Sequence, residues 1–264
     1  MRVSRFAVSF VGLLLVSTIA AQTQSKATPD FSGVYYPINP FGPPTAPGGP
    51  PQDSVTKAGP PPKPTRSAPL SDGSLGRAPG APSLTPEYMA KWQVIAKSRQ
   101  AGSAEYDYAA KCLSPGMPAI MNMFYGMEVM QTKDKITFFS EMNDALRRVY
   151  LDGRKPTQAH LDDPSYSGYS TGHWEGDTLV VDTVAIHPQT FIEGFTPHSD
   201  QLTVHERIRL AEPTLLVDEI TVNDPIALTK SWSTTKRYRK ATAKGYGKDE
   251  LREFACPEGL AEAK

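Results

Sequence analysis

Leu202-Thr203-Val204-His205-Glu206-Arg207-Ile208-Arg209-Leu210 alternates apolar and polar side chains with one exception. Leu202, Val204, Ile208 and Leu210 fall on one face, and Thr203, His205, Arg207 and Arg209 on the other. A period of two marks a β-strand with one buried and one wet face. Such strands belong to antiparallel sheets, because parallel sheets bury both faces. The exception is Glu206, which falls in the apolar set, where a carboxylate is costly unless it is paired.

The pattern extends in both directions. Further strands are expected over 127–132, 135–141, 146–151, 167–174, 178–186, 214–222, 229–239 and 250–256. Turn signals separate them, among them Lys133-Asp134, Asp152-Gly153, Glu175-Gly176-Asp177, Glu212-Pro213 and Asn223-Asp224-Pro225. Most connections are short, so strands adjacent in sequence should pair antiparallel. The predicted fold class is mainly β, an antiparallel meander closed into a barrel or bent into a strongly curved sheet. A two-sheet sandwich is the alternative.

The texture changes upstream. Residues 1–21 read as a signal peptide: Arg2 and Arg5, an apolar run over 6–20, then small Ala20 and Ala21 before polar Gln22. Residues 22–36 hold a short N-terminal strand, Asp30-Phe31-Ser32-Gly33-Val34-Tyr35-Tyr36. Of the 25 prolines, 14 fall in 37–82 together with 7 glycines, so this stretch is expected to be a disordered strap. Residues 83–102 hold a helix, with Thr85 as N-cap, Pro86 and Glu87 in the first turn and Gly102 as the stop. Tyr88, Trp92 and Ile95 share one face, beside Met89, and should dock on the β domain of 103–264.

Lys+Arg and Asp+Glu both number 28, and loss of Arg2 and Arg5 with the leader leaves 26 against 28. A near-neutral chain offers no field for nucleic acid. No run after the leader reaches the ~18 apolar residues of a membrane span. The leader implies a periplasmic or secreted protein. In that oxidising setting the two cysteines, Cys112 and Cys256, most simply form a disulfide.

Several residues invite chemistry. Glu206 could act as a general acid or base, with His198 in the preceding loop as its proton-handling partner. The competing reading of Glu206 is an internal ion pair with Arg147 or Arg148. Asp182, placed on the side of Val180 and Val184, raises the same question. His198-Ser199-Asp200 is no triad, because neighbouring extended residues point apart. Gly168-Tyr169-Ser170-Thr171-Gly172 has the form of a nucleophile elbow but lacks the strand–turn–helix context. His173, Glu175 and Asp177 fit a hairpin turn better than a metal site, so no metal is expected. Met117, Met121, Met123, Met127 and Met130, interleaved with Phe124 and Tyr125, suit packing or an apolar ligand wall better than copper binding. The ligand-contacting set expected on this basis is Met121, Met123, Phe124, Tyr125, Tyr169, Trp174, Ser199 and Arg147.

Gly172-His173-Trp174-Glu175-Gly176-Asp177-Thr178-Leu179-Val180-Val181-Asp182-Thr183 resembles the signature of a family of exported bacterial β-rich proteins. Similar blocks are Cys112-Leu113-Ser114-Pro115-Gly116-Met117-Pro118, Arg147-Arg148-Val149-Tyr150-Leu151-Asp152-Gly153, Pro197-His198-Ser199, Val204-His205-Glu206-Arg207 and Thr221-Val222-Asn223-Asp224-Pro225. The resemblance implies an architecture and a set of positions, with no assigned activity. After Thr183 the chain departs from that pattern, with Val184-Ala185-Ile186-His187 where Gly-Phe-Asn or similar is expected. Gly33-Val34-Tyr35 also resembles the start of lipocalin-like barrels, where an aromatic plugs the base. Arg237 or Arg239 would then be the basic residue that covers it.

The functional expectation is an exported barrel that binds a small, partly apolar molecule. The alternative is a cofactor-free lyase, isomerase or hydrolase working inside the barrel through Glu206 and His198. Neither needs a nucleic acid or a membrane span.

Overall fold

The computed structural model describes residues 28–38, 77, 78, 80–108, 110–122, 125–193, 195–242, 250 and 251. Its strands in chain order are β1 (Gly33–Pro37), β2 (Met127–Gln131), β3 (Lys135–Ser140), β4 (Ala145–Tyr150), β5 (Tyr169–Glu175), β6 (Thr178–Val184), β7 (Thr203–Glu212), β8 (Leu215–Asn223) and β9 (Trp232–Lys240). The α-helices among the described residues are α1 (Pro86–Gln100), before β2, and α2 (Gln158–Asp162), between β4 and β5. Each strand pairs with the next and β9 pairs back with β1, which closes a nine-stranded barrel. Closure removes the exposed edges of an open sheet.

All neighbours run antiparallel except β4 and β5, which are parallel. The meander expectation fails there because the connection is not a turn. It contains Pro156, Pro164 and the helix α2, and such a crossing brings the chain back in the same direction. A reciprocal capping box between Thr157 and His160 starts α2. The strand expected over 250–256 falls mostly outside the described residues, and 250 and 251 are not strand.

The alternation along 202–210 becomes the inside and outside of the barrel. Val204, Glu206 and Ile208 point inward from β7, as do Leu216, Asp218, Ile220 and Val222 from β8; each is at most 1% exposed. On β6 the inward row is Leu179, Val181 and Thr183. Asp182 therefore faces outward, against expectation, and pairs with exposed His205 at 2.8 Å. In Thr178-Leu179-Val180-Val181 both faces are apolar, so periodicity does not say which is inside.

The hairpins β2–β3, β5–β6 and β7–β8 gather at one end, the base. Phe31 plugs it, edge-on to Trp174 at 5.1 Å between ring centroids. Gln131 fixes the plug by accepting from Phe31 N (2.9 Å) and donating to Pro29 O (2.8 Å). Tyr35 is fully buried, and the basic group over its ring is Lys240, at 5.7 Å. Arg237 and Arg239, expected in that place, lie on the outer row of β9, where Arg239 reaches Glu212 at 2.8 Å. Lys240 passes so close to Gly33 (φ 133°) that a Cβ there would collide with it.

The other end, the rim, receives the β6–β7 and β8–β9 connections and the long β1–β2 insertion. Tyr88, Trp92 and Ile95 of α1 are buried as the stripe predicts. Thr85 does not cap the helix with its side chain. Its hydroxyl instead donates to Ile226 O (3.1 Å), and its N–H to Ala227 O (2.9 Å). Trp232 Nε1 donates to Gly80 O at 2.8 Å, so the segment before α1 is laced to the barrel beside the β8–β9 loop. Met117, Ile120 and Met121 fill the mouth, and the Tyr238 hydroxyl donates to Met121 O. Among the described residues no helix is long and apolar enough to cross a membrane.

Candidate functional site

The barrel interior carries a polar layer. Arg147, inward on β4, is fully buried. Its Nη1 donates to Glu206 Oε1 at 2.8 Å, and its Nη2 to Glu206 Oε2. Nε donates to Ser170 Oγ (3.2 Å) and Nη2 to Thr183 Oγ1 (3.0 Å), while these two hydroxyls meet at 2.8 Å. The planar guanidinium matches the carboxylate fork, and the two hydroxyls take further donor positions. The ion-pair reading of Glu206 thus has a partner, and it is Arg147; Arg148 is exposed. Ser170, the serine of the elbow-like motif, is committed to the same ring.

His198 lies elsewhere, on the β6–β7 connection at the rim. It is 3% exposed, and both ring nitrogens are occupied. Nδ1 is 2.7 Å from Ser199 O, a carbonyl, so Nδ1 carries the hydrogen. Nε2 is 2.8 Å from Thr190 Oγ1, which is also 3.1 Å from Met117 O. Burial holds the imidazole below its ordinary pKa, against the opposing pull of the Ser199 carbonyl and Asp224. Thr190 has a single hydroxyl hydrogen, which faces both Met117 O and Nε2. Among the described residues no hydrogen bond joins His198 to Glu206. Ser199 is likewise engaged: its N–H and hydroxyl donate to buried Asp224 at 2.7 and 2.8 Å. These contacts argue for structural roles at all three positions.

Among the described residues an open pocket of about 840 Å³ lies between α1, the segment around 105–113 and the β6–β7 connection. Tyr88 and Ile95 of α1 line it together with Tyr108, Tyr166, Phe191, His198 and Ser199, and Ile95, Tyr108 and Phe191 belong to one packed cluster. Tyr108 packs at 5.4 Å from Phe191 and stacks on Phe195 at 5.9 Å, and Arg99 lies over Phe195 at 3.3 Å. The Tyr108 ring is buried, which pushes its phenol far above the ordinary range. A neutral phenol can donate or accept. A cavity of this size that sets aromatic and aliphatic side chains beside charged ones, Lys91, Glu105, Asp107, Lys111 and Asp200, has the build of a site for a partly apolar small molecule.

No family model, curated protein or solved structure matches this chain. Its own geometry is what bears on its function.

Most residues expected to touch a ligand sit away from this pocket. Arg147 is in the interior ring, Met121 in the rim plug and Trp174 in the base plug. Tyr169 lies on the outer row of β5 against Tyr150 (5.4 Å) and His160 (4.3 Å). Tyr125 packs against the cluster of Ile95, Tyr108, Met142 and Phe191 beside the pocket. Met123 and Phe124 lie outside the described residues. Of the expected ligand-contacting set, Ser199 lines the pocket, as does His198, expected as a proton-handling residue. His173 and Glu175 are exposed and 3.4 Å apart, and Glu175 also accepts from Arg207 at 2.8 Å. Among the described residues no group of three His, Cys, Asp or Glu is arranged to hold a metal. Among the same residues no cysteine is free, and Cys256 lies outside them.

Tyr108 and Phe191 carry no signal in the sequence, because neither belongs to a periodic segment. Close to the pocket-lining Tyr166 stands Gly116, at φ 68°, where a Cβ would meet the Thr190 side chain and the Tyr166 carbonyl. Gly116→Ala should therefore destabilise the protein by about 1–3 kcal/mol, read as a lower urea midpoint. An unchanged midpoint would show that the rim adjusts freely.

Proposed function

We propose that this chain is an exported binding protein whose small, partly apolar ligand occupies the rim pocket. The leader-like 1–21 segment supports export, and export supports a Cys112–Cys256 bridge. The observation that carries the reading is the pocket: about 840 Å³, lined by Tyr88, Tyr108, Tyr166 and Phe191 with charged residues such as Lys91 and Asp107 among them. A flat or aromatic molecule with one hydrogen-bonding group suits those walls. The barrel serves as the rigid frame, because its interior is occupied by the Arg147 ring and both ends are plugged.

The acid–base enzyme has less support, since Glu206 and His198 are engaged separately. The test is binding of the dye 1-anilinonaphthalene-8-sulfonate, followed by its displacement with a metabolite library. Tyr108→Phe should weaken ligands that use the hydroxyl by about twofold to tenfold, as for one lost hydrogen bond. Phe191→Ala should weaken the dye itself. Dye affinity identical in wild type and Phe191→Ala would rule this pocket out.

A further inference from the structure

Asp218 points into the barrel from β8 and is fully buried. No N–H or O–H donor of the described residues reaches either of its carboxyl oxygens. Its diagonal neighbour on the inward face of β7 is another carboxyl, that of Glu206. Two carboxylates have acceptors only, so a bond between them requires a proton on one of the two.

The surroundings decide which one. Both Glu206 oxygens already accept from the Arg147 fork, whereas neither Asp218 oxygen has a donor among the described residues, which places the proton on Asp218. On β9, Lys236 is directly opposite Asp218, but its ammonium is turned to Glu193 of the rim connection at 3.5 Å. Tyr238, also on β9, gives its hydroxyl proton to Met121 O. Two cations, Arg147 and Lys236, thus stand against three carboxylates, Glu206, Glu193 and Asp218. The layer is short of one positive charge. Thr234, a diagonal neighbour of Asp218 in the β8–β9 register, has a buried hydroxyl that also lacks a partner among the described residues.

We infer that Asp218 is a proton-binding site of the barrel, a carboxylic acid at neutral pH whose O–H is directed at Glu206, and that folding is coupled to that proton. Burial and the Glu206 charge both favour the neutral acid, and they outweigh the opposing pull of Arg147 and Lys236. The inference does not depend on the rim pocket.

Linkage fixes the sign. Above about pH 4 an unfolded chain releases this proton, whereas the folded chain keeps it. Stability contributed by Asp218 is therefore full at low pH and falls as pH rises, until the folded-state acid itself ionises. Relative to Asp218→Asn, the unfolding constant of the wild type should rise with pH above about pH 5, by up to about tenfold per unit, until the folded-state acid ionises. Urea unfolding of the full chain reads this directly. Carbon-13 labelling of aspartate supplies a second measurement on the wild type alone, which stands even if the variant does not fold. One carboxyl carbon should keep the chemical shift of the protonated acid at about pH 7. Ionised signals for all aspartates at that pH would overturn the proposal. So would a pH slope that vanishes on adding sodium or potassium, because the missing charge would then be a metal cation.

Discussion

Arg147→Met should destabilise the barrel by about 3–5 kcal/mol, the usual cost of leaving a buried charge without its partner. Methionine replaces the apolar stem of arginine, so packing is largely preserved and the loss is electrostatic. Glu206 would lose the cation in its fork, while the hydroxyls of Ser170 and Thr183 would remain in the layer. The variant should then bind a proton at Glu206, so its deficit should shrink as pH falls towards the ordinary glutamate range. Arg147→Met combined with Glu206→Leu should recover most of the loss, because no orphaned carboxylate is left at that position. Urea unfolding of the three chains at two pH values checks each step. A single variant within about 1 kcal/mol of wild type would mean that the interior ring contributes little beyond packing.

Legibility in the sequence depends on whether a strand has one apolar face or two. Strand β7 alternates cleanly, so Glu206 stands out as a buried carboxylate and its ion pair can be anticipated. On β4 the sequence offers Arg147 and Arg148 side by side, and the choice rests on parity with buried Ala145 and Val149. On β8, Leu215, Leu216 and Val217 are apolar on both faces, and all three are buried. Nothing in that run marks Asp218 as an interior residue. The same ambiguity misplaces Asp182. The parallel β4–β5 pair is hidden because Asp152-Gly153 has the composition of a hairpin turn, yet the chain beyond it crosses over through α2 before β5 begins. The rim pocket is illegible for a different reason. Its walls come from α1, from the segment around Tyr108 and from the β6–β7 connection, and only tertiary docking brings them together.

That docking rests on Trp92, and Trp92→Ala is expected to act on stability and binding at once. The indole is 7% exposed and belongs to the main core, and the Arg77 guanidinium lies over it at 5.0 Å while donating to Thr196 Oγ1 at 2.7 Å. Removing a buried indole costs about 3–5 kcal/mol through lost burial and the cavity left behind. The same helix presents Tyr88, Lys91, Val94 and Ile95 to the pocket. If α1 loosens, one wall of the pocket loosens with it, and dye affinity should fall even under conditions where the barrel remains folded. Lys97→Ala, an exposed change on the same helix, should stay within about 0.5 kcal/mol of wild type and leave dye binding intact. Far-ultraviolet circular dichroism, urea unfolding and dye titration on the two variants separate the outcomes. Full dye affinity in a destabilised Trp92→Ala protein would place the ligand somewhere other than against α1. A parallel loss of both would tie the ligand site to the helix that the β1–β2 insertion lays across the rim.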